Sequence, residues 1–132
     1  MAFGVATVFT NKGKDITTNL VSGLGGTVPK FVAMGTGATG AARTAAAADT
    51  ALSTEVETRT TGTPTRVTTT VTNDTLQVVG TVTATAGRSV DEGGLFDVVT
   101  TSSGNMYTSA TFNVITLVSG DSIQFTWQLK YS

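Results

Sequence analysis

The run Gly35-Thr36-Gly37-Ala38-Thr39-Gly40 has the spacing G-x-G-x-x-G, follows an apolar stretch, and has Glu55 twenty residues beyond its first glycine. In a dinucleotide-binding unit such glycines let the backbone reach a pyrophosphate at a helix N-terminus inside a βαβ crossover. Here the run is followed by Ala-rich and then Thr-rich sequence with antiparallel patterning, and too little chain remains for a doubly wound sheet. A plain glycine loop is the favoured reading. Carboxylates come as Glu55 with Glu57, and as Asp91-Glu92 followed by Asp97. Two carboxyl groups set across a sugar make a glycosidase. The single tryptophan, Trp127, is however placed inward by its strand parity and leaves no ring to stack a sugar. Oxygen ligands between Asp91 and Asp97 suit calcium in kind but lack EF-hand spacing. Ion pairing with Arg59, Arg66 or Arg88 is the plainer use of these acids.

The inventory narrows the chemistry further. The 132 residues include no Cys and no His, which removes thiolate nucleophiles, disulfides, imidazole bases and the usual zinc ligand sets. No catalytic residue, cofactor or metal is expected, and the chain is read as a non-enzyme. Eight Lys and Arg against nine Asp and Glu give a net charge of -1, with charged residues only 13% of the chain. The cations are scattered without interleaved aromatics, so no nucleic-acid partner is expected. Asn73-Asp74-Thr75 has the form of a glycosylation sequon, without a secretory signal to give it meaning. No stretch approaches the roughly 18 apolar residues of a membrane span, and Met1 to Thr10 lacks a signal peptide's pattern, so neither membrane nor secretory route is expected.

These residues need elements to hold them. Thr (29) and Val (16) make up 45 of 132 residues, a β-branched bias suited to half-buried strands. Ile123, Phe125, Trp127, Leu129 and Tyr131 alternate with Gln124, Thr126, Gln128 and Lys130, which predicts a strand with one buried face. Asn105 to Val118 reads as its partner. Within that partner the apolar positions change parity between Met106, Ala110, Phe112, Val114 and Tyr107, Ile115, Leu117, predicting a bulge near Val114-Ile115. Thr65 to Thr72 and Thr75 to Thr85 read as a hairpin turning at Asn73-Asp74. Phe3 to Thr10 and Lys30 to Met34 read as strands. Asp15 is the expected N-cap of a short helix through Leu20 and Val21 that stops near Gly23. Gly35 to Thr50 reads as an ordered loop or one or two helical turns. The sum is one domain over 1–132: an antiparallel, jelly-roll-like β-sandwich, all-β apart from the helix. Residues 1–29 form an N-terminal strand or arm with the helix, and 30–132 the main sandwich. Its expected core is Phe96, Phe112, Ile123, Phe125, Trp127 and Leu129.

Several short motifs, taken in order, carry a resemblance. They are Ala33-Met34-Gly35-Thr36-Gly37 at a strand end, Leu52-Ser53-Thr54-Glu55 with Arg59, Glu92-Gly93-Gly94-Leu95-Phe96-Asp97, and the Ser119-Gly120-Asp121-Ser122 turn before an aromatic strand. Over Lys30 to Tyr131 the chain resembles small structural proteins of tailed-phage virions. The resemblance implies a virion component assembled in the host bacterial cytoplasm. Its expected role is that of a cement protein decorating the capsid and bridging major capsid protein subunits; a tail-fibre or baseplate part that binds a host glycan is the alternative. It also implies a structural ion-pair group of Glu55, Arg59 and Glu92. Self-association, as a homotrimer suited to junctions of three shell subunits, is expected through the Thr-rich hairpin at Thr68, Thr70, Thr72, Thr81 and Thr83. Contact with the shell is expected through Phe3, Lys12, Lys14, Gly35, Gly37 and Gly40.

Overall fold

The structure, a computed structural model, describes residues 6–40 and 42–131. Among them, eight strands and one helix run in the order β1 (Ala6–Phe9), α1 (Asn11–Ser22), β2 (Phe31–Thr36), β3 (Thr54–Thr61), β4 (Thr63–Val67), β5 (Thr75–Thr83), β6 (Arg88–Phe96), β7 (Met106–Leu117) and β8 (Ser122–Lys130). The strands form two antiparallel sheets, one in the order β1-β7-β6-β2-β3 and the other β4-β5-β8. The chain is thus an all-β sandwich with one short N-terminal helix. It crosses between sheets after β3, β5 and β7.

The period-two pattern of β8 explains how the sheets meet. Trp127 is buried, while Ile123, Phe125 and Leu129 are half-buried on the same face and pack against Val78, Val82, Phe112 and Leu117. Close approach of the sheets requires missing side chains. A Cβ on Gly80 would lie 2.7 Å from Val32 Cγ2, and one on Gly93 would lie 2.8 Å from the Phe125 ring. Phe96 is buried elsewhere, with Ala33, Leu52 and Met106 on the outer face of the five-stranded sheet. The sequence pattern does not separate these two apolar layers, because β6 lies inside its sheet and is covered on both faces.

Local chemistry sets the element ends. Helix α1 is capped at Thr10, five residues earlier than the Asp15 cap expected from sequence. Thr10, extended and buried, accepts from Gly13 N–H at 2.8 Å and donates to the Met106 carbonyl at 2.6 Å. That second bond ties the cap to β7, a tertiary partner invisible in sequence. Gly23 ends the helix in the left-handed conformation (φ 74°), donating to the Asn19 and Leu20 carbonyls. The register of β6 with β7 passes from Val90↔Ile115 to Glu92↔Thr111, so the ladder is interrupted close to the bulge expected near Val114-Ile115.

The β4–β5 connection is not the two-residue turn expected at Asn73-Asp74. Residues 68–74 form a longer loop drawn around Asp74, whose carboxylate accepts from the N–H groups of Thr69, Thr70 and Val71. Strand β1 pairs with β7 from Ala6↔Thr111 to Phe9↔Thr108, so this part of the N-terminal arm is an edge of the sandwich itself. Phe3 and the rest of residues 1–5 lie outside the described residues.

Candidate functional site

Gly35 sits at the centre of the motif-bearing region. Its cross-strand neighbours are Glu55 on β3 and Glu92 on β6, so the sheet brings two glutamates to either side of a residue without a side chain. That lack is required, since a Cβ on Gly35 would lie 2.6 Å from Glu92 Oε1 and 2.7 Å from the Thr54 carbonyl. Gly35 is buried and cannot serve as the shell contact expected for it.

The two glutamates belong to different ion pairs. Arg59 meets Glu55 side-on, Nε to Oε2 and Nη2 to Oε1 both at 2.9 Å, with both side chains nearly fully buried. The same guanidinium donates through Nη1 to the carbonyls of Val98 and Ser103 and lies 3.6 Å from the Phe96 ring centroid. It thereby fastens the loop between β6 and β7 to β3. Glu92 pairs with Arg43 instead, at 2.8 Å, and accepts from Thr54 N–H at 3.0 Å. The expected group of Glu55, Arg59 and Glu92 is therefore split, because Arg59 spends its donors on Glu55 and the β6–β7 loop. The sequence motifs do not point to Arg43. A signal existed, since Arg43 and Asp49 are the only charged residues between Phe31 and Thr54.

The glycine run does bind an anion, but the anion is its own. Ala38 N–H donates to Asp91 Oδ1 at 3.1 Å and Gly40 N–H to Asp91 Oδ2 at 3.0 Å. Gly37, Thr39 and Gly40 have positive φ, which turns successive N–H groups toward one side in the manner of an anion nest. A phosphate would compete with a buried carboxylate of the same chain. Asp91 itself lies in strand β6 rather than in a calcium-type loop, and no cluster of three or more metal-ligating residues occurs among the described residues.

Each of the nine carboxylates has an internal partner. Beyond those above, Asp49 accepts from Arg43, Ala46 N–H and Ser109, Glu57 from Arg88 and Thr85, Asp97 from Asn105, Asp121 from Val118 N–H, and Asp15 from Lys12. Glu57, in the left-handed region at φ 66°, is held below the usual carboxylate range by Arg88 and then by Thr85. Asp74 is pushed down further, first by Val71 N–H and then by the N–H groups of Thr69 and Thr70. At Asp49 burial opposes ionisation, but the bonds from Ala46, Ser109 and Arg43 outweigh it and the pKa falls. These acids hold loops to strands.

The expected self-contact residues divide. Thr81 and Thr83 are exposed near the end of β5, whereas Thr68, Thr70 and Thr72 lie in the 68–74 loop at the strand's other end, about 25 Å away along an extended strand. Thr81 and Thr83 adjoin Gln124 and Ser122 of β8, and Thr83 hydrogen-bonds Ser122 at 2.7 Å. Lys12 and Lys14 are exposed on α1, with Lys12 paired to Asp15 at 2.6 Å. Gly37 is exposed and Gly40 half-buried.

A cleft of about 860 Å³ opens between the sheets, with β7 on one side and β8 on the other. Its walls are mainly apolar, including Leu95, Phe112, Ile115, Phe125 and Leu129. Thr108 Oγ1 and Trp127 Nε1 lie buried in its lining without a hydrogen-bond partner among the described residues. No described helix is long and apolar enough to cross a membrane. Comparison with family models, with curated proteins and with solved structures found no match to this chain.

Proposed function

We propose that this chain is a virion structural protein, a cement protein that bridges neighbouring major capsid protein subunits as a homo-oligomer, three copies at junctions where three shell subunits meet. The observation that supports it is the outer face of the three-stranded sheet. Thr81, Thr83, Gln124, Thr126 and Gln128 are exposed there and uncharged. Such a face offers hydroxyl and amide hydrogen bonds with little of the side-chain entropy cost of Lys or Glu. Several copies held together add weak contacts through effective concentration, so a modest single contact suffices to secure a junction.

The test is binding of the purified chain to expanded, undecorated capsids, read by cosedimentation. The wild type should saturate the shells, and Thr81→Lys with Thr83→Lys should reduce occupancy at unchanged fold. Copurification with tails, or selective retention of a glycan on an array, would sink the cement reading and transfer the protein to the tail.

A further inference from the structure

The four sheet edges are unequal. Among the described residues β1 is four residues long, and it runs straight into α1. β3 carries Glu55, Glu57 and Arg59, a left-handed residue at Glu57 and a register shift against β2. β4 contains Pro64 and Arg66. Short length, charge, proline and bulges are how proteins blunt an edge against pairing with another chain. β8 has none of these over most of its length. Its nine residues pair with β5 without a break from Thr83↔Ser122 to Thr75↔Lys130, and Lys130 is its only charged residue.

Which backbone groups are free follows from alternation. Tyr131 N–H donates to the Asp74 carbonyl at 3.0 Å, so the odd-numbered residues of β8 bond toward β5. The even-numbered ones, Gln124, Thr126 and Gln128 among them, aim N–H and C=O at the open edge beside the apolar cleft.

We propose that β8 pairs antiparallel with β8 of a second copy, about a two-fold axis at Thr126. This register sets Thr126 against Thr126, Gln124 against Gln128, Phe125 against Trp127 and Ile123 against Leu129 of the second copy. All apolar residues then stay on the inner face, in the non-hydrogen-bonded pairs where side chains approach closest. The half-buried row Ile123, Phe125 and Leu129 of each copy is carried over the mouth of the other's cleft. Lys130 comes opposite Ser122 of the second copy, one residue from its Asp121, so opposite charges lie near each other at both ends. Parallel pairing in register would oppose Lys130 to Lys130. One patch is thus complementary to itself, as an isologous contact must be. The contact does not depend on the virion reading; combined with a three-fold contact it would give paired trimers.

Light scattering of the wild type should give an even multiple of the 13.5 kDa chain mass. Thr126→Lys, on an exposed outward side chain, sets like charges face to face and should halve the mass, weakening self-association roughly tenfold or more while the circular dichroism spectrum stays unchanged. Mixing Thr126→Lys with Thr126→Asp should restore the mass by pairing opposite charges across the axis. A monomeric wild type would overturn the proposal, and uptake of 1-anilinonaphthalene-8-sulfonate by such a monomer would give the cleft to a small apolar ligand. An oligomer whose mass Thr126→Lys leaves unchanged would also overturn it, whether or not the protein binds capsids.

Discussion

Arg59 and Arg43 differ in a way that decides what their removal does. Arg59 and Glu55 are both buried, so Arg59→Ala leaves an uncompensated carboxylate and also frees the Val98 and Ser103 carbonyls. Loss of one partner of such a pair costs about 3 to 5 kcal/mol, to be read as a lower urea midpoint. Replacing both partners with Glu55→Gln and Arg59→Met should recover much of that loss, because no lone charge remains. Asp74 gives a pH signature instead. Its folded pKa lies below the unfolded value near 3.8, so its stabilisation is complete above about pH 5 and disappears as pH falls toward the folded value. Asp74→Asn should therefore lower the melting temperature at pH 7 and have a shrinking effect as the solution is acidified. An effect as large at pH 2 as at pH 7 would rule out the carboxylate as its source. The pairing of Arg59 with Glu55 was legible because the two are close in sequence. The Arg43–Glu92 pair joins residues 49 apart, and only the docking of the loop over the sheet creates it.

At the scale of elements, β8 was legible because a period of two needs no tertiary information. The bulge in β7 was legible too, since the apolar residues themselves change parity. The 68–74 loop was not, because Asn73-Asp74 is suited to a tight turn and nothing in the local sequence says that Asp74 will gather the three N–H groups before it. The start of α1 was hidden for the same kind of reason, as Thr10 caps the helix while anchored to β7. The Gly37–Gly40 turn is another element organised from outside itself, through Asp91. Asp91→Ala removes the acceptor of the buried Ala38 N–H, at about 1 to 3 kcal/mol for the donor left unpaired, and of the half-buried Gly40 N–H, which water can reach. Limited proteolysis should then cut between Gly37 and Asp49 well before the rest of the sandwich. A digestion pattern identical to the wild type would show that the loop is held by Arg43 and Asp49 alone.

The whole molecule is closed by its most distant pairing. β1 meets β7 across more than a hundred residues, Ala6 with Thr111 and Thr7 with Ala110, and among the described residues it is the shortest strand and an edge. A sandwich built from such non-local pairings should refold in milliseconds to seconds, since loop closure must precede the contacts that stabilise it. Trp127, the lone tryptophan, stacks on Phe125 at 6.1 Å between the sheets and reports their closure by fluorescence. The β5–β8 and β6–β7 pairings join segments closer in sequence and form the longest ladders, so they are the natural nucleus, with β1 docking afterwards. Phe9 packs edge-on against Tyr107 with ring centroids 5.1 Å apart and is half-buried, so Phe9→Ala should cost roughly 2 kcal/mol. If β1 docks late, nearly all of that loss appears as faster unfolding with the refolding rate unchanged. In stopped-flow measurements Val78→Ala, in the buried centre of β5, should instead slow refolding. Slower refolding of Phe9→Ala would place β1 in the nucleus and make the long-range pairing the step that organises the fold.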